Sequence, residues 1–566
     1  MKTTILKVIP HSFRAKGCLV TLTIFVRALL NFVGLAALLP VLYLILDIEA
    51  IHTNPIAQRV YEYFGFSSDV AFVIAVAAAM VAFVIIKNLI GLGLYRVERD
   101  YIYALYKYLS RNLYIDYFNR GLGFIKSSNS AVLARNVNVV CYTFVAGVLR
   151  PMASILSEVM LFLMLFIAIT LYSPLAAALS IGIFIPTIWL YFTLVRQRVN
   201  QYGRIENEAQ RQKYRNVIET YRGYADIEIN NGFGSMLESF DRNIDTIVEV
   251  GAKNATVATL PHTLTEVGLA AGMALLVSFS ACMNDSDMKM LFGVFAVAAL
   301  RLLPSIRAIM AAWTSLRYNR YAIGIIRDAA IDTQATVAYQ GATERLNFRD
   351  AIRVEGLSFR FEDSDHDTLH NLSISIAKGE RVGINGRSGA GKTTLFNLLL
   401  GLYTPTSGRI SIDGETLSAE NRRKWQNSIG YVSQSVFLTD STLLANITLG
   451  CRAEDIDMAR VERAVKMASL DEFVAQLPNG LDSRIGECGA LLSGGQRQRI
   501  GIARALYKQA EVLFFDEATS ALDNETEQSI NQAIEALSQA DTTLTIVVIA
   551  HRESSLSYCN RVITLK

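Results

Sequence analysis

At 566 residues the chain is too long for a single domain, and its 52% hydrophobic content against 19% charged is more apolar than an ordinary soluble protein carries. The formal net charge of +3, from 54 basic and 51 acidic residues, gives no basis for a nucleic-acid partner. Six cysteines (Cys18, Cys141, Cys282, Cys451, Cys488, Cys559) fall in no C-x-x-C pair and no metal-ligand spacing, so they read as free, mostly buried thiols.

Residues 1–16 carry Lys2, Lys7, Arg14 and Lys16 with no acid, the pattern of an amphipathic segment lying on a cytoplasmic membrane surface. The apolar run that follows is longer than the 7 to 15 residues of a signal-peptide core, which makes it a first span that stays. Six spans are expected at 17–47, 70–94, 150–172, 175–196, 258–283 and 290–312, each near or above the ~20 residues that cross a bilayer. The gaps after spans one, three and five hold only Arg59 and Lys289 as basic residues, whereas those after spans two and four are rich in Arg and Lys. By the positive-inside rule both termini are cytoplasmic.

Residues 95–120 and 197–220 keep helix-forming composition without proline, so each extends its span as a rod of about 35 to 40 Å beyond the headgroups. Breaks rich in Gly, Ser and Asn near 121–130 and 223–234 are places for a short transverse helix to turn the chain back. These turns are either docking points for a cytosolic motor or the tips of solvated hairpins. After span six the apolar periodicity is lost over Thr333 to Asn347 and resumes as the alternating strand pattern Ile352 to Leu357. The expected domains are therefore 1–332 in the membrane, a linker at 333–347, and a soluble α/β domain at 348–566.

Within that domain, Gly386-Arg387-Ser388-Gly389-Ala390-Gly391-Lys392-Thr393-Thr394 follows an apolar strand and opens a helix. A glycine-rich turn has the same glycines, but the strand before and the helix after are the context of a phosphate-binding loop. Backbone N–H groups from Gly386 to Thr394 close round phosphate oxygens, Lys392 reaches the β- and γ-phosphates, and the Thr393 hydroxyl is a ligand for Mg²⁺. Val512 to Glu517 is an apolar strand ending in two carboxylates: Asp516 to hold Mg²⁺ and Glu517 to polarise the attacking water. Leu492-Ser493-Gly494-Gly495-Gln496 opens a helix with a second turn that presents N–H groups, a second phosphate site by the same physics.

Together these stretches resemble the ATP-binding cassette (ABC) family. Leu492 to Gln496 matches its signature motif, Gln434 its Q-loop, Ser520 to Asp523 its D-loop and His551 its switch histidine, and Phe361 stands where the family stacks an aromatic, usually Tyr, on adenine. The resemblance covers the whole chain. It implies a membrane all-α six-helix transmembrane domain fused to a cytosolic α/β P-loop ATP-binding cassette domain, the architecture of an ABC exporter half-transporter. It further implies ATP and Mg²⁺ as cofactors, with Gln434 a metal ligand beside Thr393 and Asp516, and catalytic roles for Glu517 and His551. Each ATP in that family lies between the loop of one chain and the signature turn of another. A homodimer in a bacterial inner membrane is implied, since both halves of the site are intact here; a degenerate partner chain is the other possibility.

The motor does not specify the cargo. Arg27, Lys87, Arg301 and Arg307 lie inside expected spans, with His262 and the acids Glu158 and Glu266. A charge near the membrane centre costs at least ~2.5 kcal/mol, so these side chains should face the bundle interior or a wet cavity. Either Arg–Glu pairs staple helices and Lys87 and Arg307 reach for the interface, or Lys87, His262, Arg301 and Arg307 line a cationic cavity for an anionic lipid head. The basic residues at Lys87 and His262, and Arg301 to Arg307 on span six, look similar to PglK-type lipid-linked-oligosaccharide flippases. That resemblance implies a pyrophosphate-linked lipid as cargo. A lipid A flippase, a peptide or drug exporter, and a non-transporting ATPase acting as sensor or scaffold are the alternatives. No peptidase segment precedes the first span, which argues against an exporter that cleaves leader peptides.

Overall fold

The computed structural model describes residues 9–37, 50–172, 174–282, 287–328, 344–362, 364–517, 542–550 and 556–565, with isolated residues between 527 and 539. The expected linker lies mostly outside the described residues, as do His551 and the stretch Ser520 to Asp523. The chain divides into two compact units: Met1–Arg120 with Phe124–Thr336, and Val337–Lys566 with Gly121–Gly123.

The first unit is helical. Its long elements are α1 (His11–Ala36), α2 (Asp69–Asn119), α3 (Arg150–Tyr172), α4 (Pro174–Arg222), α5 (Phe233–Cys282) and α6 (Asp287–Tyr318), followed by the short α7 (Arg320–Asp328). Among the described residues three stretches are long and apolar enough to cross a membrane: His11–Gly34, Asp69–Asn119 and Ser130–Leu171. At 51 residues, α2 is more than twice the length a bilayer needs. Its two halves bury different things. Val70, Ile74, Val81, Ile85 and Leu89 are exposed apolar residues suited to lipid, whereas Ile102, Leu105 and Leu109 form one buried stripe at helical spacing. That stripe packs with Val140, Phe144 and Val148, and with Ala322, Ile323 and Ile326 of α7. Each such leucine taken from water contributes about 2 kcal/mol.

Two short helices, Gly121–Ser127 and Tyr224–Ile229, follow α2 and α4. Asn129 starts the next helical turn by accepting a hydrogen bond from the Ala131 amide at 2.9 Å. Between there and α3 the helix widens into π-turns at Asn136–Val140 and Val145–Leu149. The cysteines depart from expectation: Cys141 is buried, but Cys18, Cys451 and Cys488 are exposed. In the membrane unit an outward apolar side chain meets lipid rather than water, so a small apolar residue such as Cys18 need not be interior.

The second unit carries two sheets. One is antiparallel, in the order β2-β1-β4-β5: β1 is Ala351–Phe359, β2 Leu369–Ala377, β4 Ser407–Ile412 and β5 Glu415–Thr416. The other is parallel, in the order β6-β7-β8-β3-β9: β3 is Arg381–Gly386, β6 Ile429–Val432, β7 Val512–Asp516, β8 Thr545–Ile549 and β9 Arg561–Leu565. All five residues of β7 are buried, as a central strand covered on both faces requires. Helix α8 (Lys392–Leu399) packs on it through Phe396 against Phe514, ring centroids 5.4 Å apart. Helix α9 (Gly494–Tyr507) lies in a second apolar cluster through Ile500, Ile502 and Ala503.

Candidate functional site

The parallel sheet brings the loop and the carboxylates to one edge. Ile384 of β3 pairs with Ile549 of β8, and Ile549 pairs with Asp516 of β7, so Asp516 stands level with the residue two before Gly386. Both the loop and Asp516 therefore leave the carboxyl ends of parallel strands, where open α/β sheets bind ligands. Gly391 has φ +85°, and a Cβ there would fall 2.8 Å from Leu369 Cδ2 and 2.9 Å from the Thr368 carbonyl, so only glycine fits. Lys392 is buried, its Nζ donating to the carbonyls of Gly386 at 2.8 Å and Arg387 at 3.2 Å. A buried ammonium inside a loop of glycine amides suits a polyphosphate. Thr394 is buried and Thr393 exposed at the start of α8.

Asp516 is 5% exposed and accepts a hydrogen bond from the Tyr431 hydroxyl at 3.3 Å. Burial, and then the Asp516 carboxylate, raise the pKa of Tyr431, keeping it a neutral donor. Glu517 adopts φ +49°, a conformation that costs a non-glycine residue about 1 to 3 kcal/mol. Its amide is anchored on the Ile549 carbonyl at 3.0 Å, and its Oε2 accepts from Gln434 Nε2 at 3.0 Å. Gln434 and Glu517, far apart in sequence, are thus brought into contact. Thr393, Asp516 and Gln434 each carry a side-chain oxygen, the hard ligand type that would suit Mg²⁺.

Ser493 caps α9 reciprocally with Gln496: its Oγ accepts from the Gln496 amide at 3.2 Å, and Gln496 Oε1 accepts from the Ser493 amide at 2.8 Å. Gln496 therefore shapes the turn with its side chain, and Gly494 and Gly495 occupy the first helical positions. No hydrogen bond among the described residues joins this turn to the Gly386–Thr394 loop. Phe361 is 39% exposed and stands edge-on to Phe359 at 5.0 Å and to Tyr403 at 5.8 Å. Tyr403 carries no sequence signal for this place, being one tyrosine after the Gly401 turn.

Among the described residues of the helical unit, Arg27, Lys87, His262 and Arg307 each have a partner. Arg27 pairs with Glu98 at 2.9 Å and lies over Tyr95, 5.7 Å from its ring centre. The sequence offered Glu158 and Glu266 as compensating acids. Glu98 lies just beyond the expected end of span two, one helical turn from Tyr95, where hydropathy gives no sign of it. Lys87 Nζ donates to Asn31 at 3.4 Å, and its stem covers Gly34, where a Cβ would meet Lys87 Cδ at 2.5 Å. Arg307 Nε donates at 2.7 Å to Thr265 Oγ1, which lies within reach of the Pro261 carbonyl at 2.7 Å. His262 approaches Glu266 at 3.5 Å on an exposed face. The side chain of Arg301 lies outside the described residues.

Residues 369–520 match the ABC transporter family. An ATP-dependent lipid A-core flippase of Burkholderia pseudomallei is 30% identical over 518 residues, covering 89% of this chain and 84% of that relative. The chain belongs to the ABC transporter family. A lipid A-core flippase of Ralstonia nicotianae is 32% identical over 402 residues, and there the chain spans 66% of the relative's length, just under two thirds. The structure of a bacterial Atm1-family ABC exporter with ATP bound superposes with a TM-score of 0.78 at 23% identity, over 99% of this chain and 94% of that one. The fold is accordingly that of an ABC exporter, a helical transmembrane domain followed by an ATP-binding P-loop domain.

Proposed function

We propose that this ABC transporter is an ATP hydrolase that exports or flips an amphipathic lipid with a phosphorylated head group, working as a homodimer in a bacterial inner membrane with its P-loop domain in the cytoplasm. The observation that carries this reading is the match over 84% of a relative named as a lipid A-core flippase. The resulting preference is lipid A-core. A pyrophosphate-linked oligosaccharide lipid is the second reading, favoured by the basic residues Lys87, His262, Arg301 and Arg307, and both cargoes share the phosphate chemistry that arginine recognises.

In this reading the Gly386–Thr394 loop binds the phosphates through its amides and Lys392, while Phe361 stacks on adenine. Thr393, Asp516 and Gln434 would hold Mg²⁺, which would supply charge neutralisation at the phosphate oxygens. Glu517 accepts the proton of the attacking water, oriented by Gln434 at 3.0 Å and assisted by His551. The turn Ser493 to Gln496 closes on nucleotide held by the second copy, and the short helices Gly121–Ser127 and Tyr224–Ile229 carry closure to the spans.

Purified protein in proteoliposomes, offered labelled lipid A-core, a polyprenyl-pyrophosphate glycolipid or a peptide, should move a phosphorylated lipid in an ATP-dependent way. Arg301→Ala and Arg307→Ala should reduce that movement. Failure of all three cargoes together with nucleotide-dependent capture of a protein would favour the sensor or scaffold. Unchanged transport in the arginine variants would remove the cationic cavity. Glu517→Gln should keep ATP binding and lose turnover by at least about 100-fold, and normal turnover would reject its role.

A further inference from the structure

Gln434 meets Glu517 at 3.0 Å only if its own segment is held in position. Helix α9 holds it along its length. Gln498 is 6% exposed, and its Nε2 reaches the carbonyl of Gln434 at 2.8 Å and that of Ser433 at 3.4 Å. One turn on, a Cβ at Gly501 would come within 3.0 Å of a Val436 methyl and 3.2 Å of a Val432 methyl, so these valine side chains pack directly on the helix backbone. Farther along, Arg504 donates from Nη2 to the Phe437 carbonyl at 3.0 Å and from Nε to the Asn446 carbonyl at 2.9 Å.

Of these contacts, that of Gln498 is the one placed directly on Gln434. The Oε1 of Gln498 is buried and has no hydrogen-bond partner among the described residues. An unmet buried acceptor is destabilising, and a hydrophobic residue of similar volume would avoid that cost. The amide earns its place through its donor end alone. Reversing the amide would set its oxygen against the Gln434 carbonyl, so the orientation is dictated by the contact.

We infer that Gln498 is a positioning residue for hydrolysis: it fixes the Gln434 backbone so that the Gln434 side chain reaches Glu517, and thereby ties the helix that opens with the Ser493–Gln496 turn to the carboxylate of the same chain. This rests on the reading of Glu517 as the hydrolytic base. Movement of α9 is passed to the Glu517 carboxylate through a backbone carbonyl and one side-chain amide.

The test uses the full-length protein and three variants: Gln498→Met, which fills the same space without a donor, Gln498→Glu, which keeps the shape and cannot donate when ionised, and Gln434→Ala. In Gln498→Met, kcat for ATP should fall about tenfold with KM within about twofold, the signature of a displaced group rather than lost binding. The double variant Gln498→Met/Gln434→Ala should be no slower than Gln434→Ala, because the first substitution acts through the second residue. Amide exchange over Ser433 to Phe437 should rise without nucleotide, while that of Gly386 to Thr394 stays unchanged. Gln498→Glu should reproduce the kinetic loss.

Unchanged kcat, or losses that multiply in the double variant, would overturn the inference, and so would loss of the fold in both Gln498 variants, which would make Gln498 a packing residue only. Failure of the ATPase reading is seen separately, as absent hydrolysis in the unmodified protein or full activity in Glu517→Gln.

Discussion

Lys508 shows how far one side chain's surroundings can matter in this protein. Its ammonium donates to the carbonyls of Gln426 and Ile429, yet burial, with Arg423 and Arg345 nearby, pushes its pKa down to about 8. An unfolded lysine titrates near 10.4, so between about pH 8 and 10.4 the unfolded chain binds more protons at this site and stability rises with pH. Below pH 8 both states are charged and the full penalty remains. Thermal unfolding of the unmodified protein and Lys508→Met between pH 7 and 10 should show the variant gaining less stability as pH rises; parallel curves would reject this. The residues whose chemistry was legible in sequence are those with a local context, such as Lys392 and Thr393 after a glycine loop, or Asp516 and Glu517 at the end of an apolar strand. Gln498 was not legible. Its meaning lies in a carbonyl 64 positions away, and nothing in its neighbourhood signals that.

At the scale of elements, the close approach of α4 and α6 is set by Gly203. A Cβ there would stand 1.8 Å from the Tyr318 carbonyl oxygen, a backbone atom that cannot swing aside. Gly203→Ala should force the helices apart and destabilise the protein by about 1 to 3 kcal/mol, read as a lower Tm. Gly251→Ala on α5, where a Cβ meets nothing within 4 Å, should leave Tm unchanged or raise it, since alanine is the better helix former. Equal effects of the two would show that propensity rather than contact decides. The long helices themselves were legible, because an apolar run that turns into a polar helix-forming stretch gives both a span and its extension. The π-turns at Asn136–Val140 and Val145–Leu149 were not. A widened turn has no composition of its own and follows from what the helix packs against.

For the whole molecule, the proposal that each nucleotide lies between two chains gives a complementation test. Lys392→Ala removes the loop's ammonium and Gly494→Asp blocks the signature turn, so either variant alone should fail to hydrolyse ATP. In a mixed dimer the intact loop of one chain meets the intact turn of the other at one of the two sites, so independent sites would give about half the activity per mixed dimer, or about a quarter in a randomly assorted population. A site contained in one chain gives no recovery, and no recovery in dimers shown to be mixed would reject the shared site.

Sequence alone determined what depends on neighbouring residues: the apolar runs that must leave water, the glycine loop that only certain backbone angles permit, and the pairing of a strand with terminal carboxylates. Tertiary structure decided what depends on residues distant along the chain. Glu98 rather than Glu158 or Glu266 compensates Arg27, Gln434 reaches Glu517, and β8 comes between β3 and β7. Such contacts depend on how whole helices and strands pack, and packing is settled by the summed burial of many side chains rather than by any one residue's pattern.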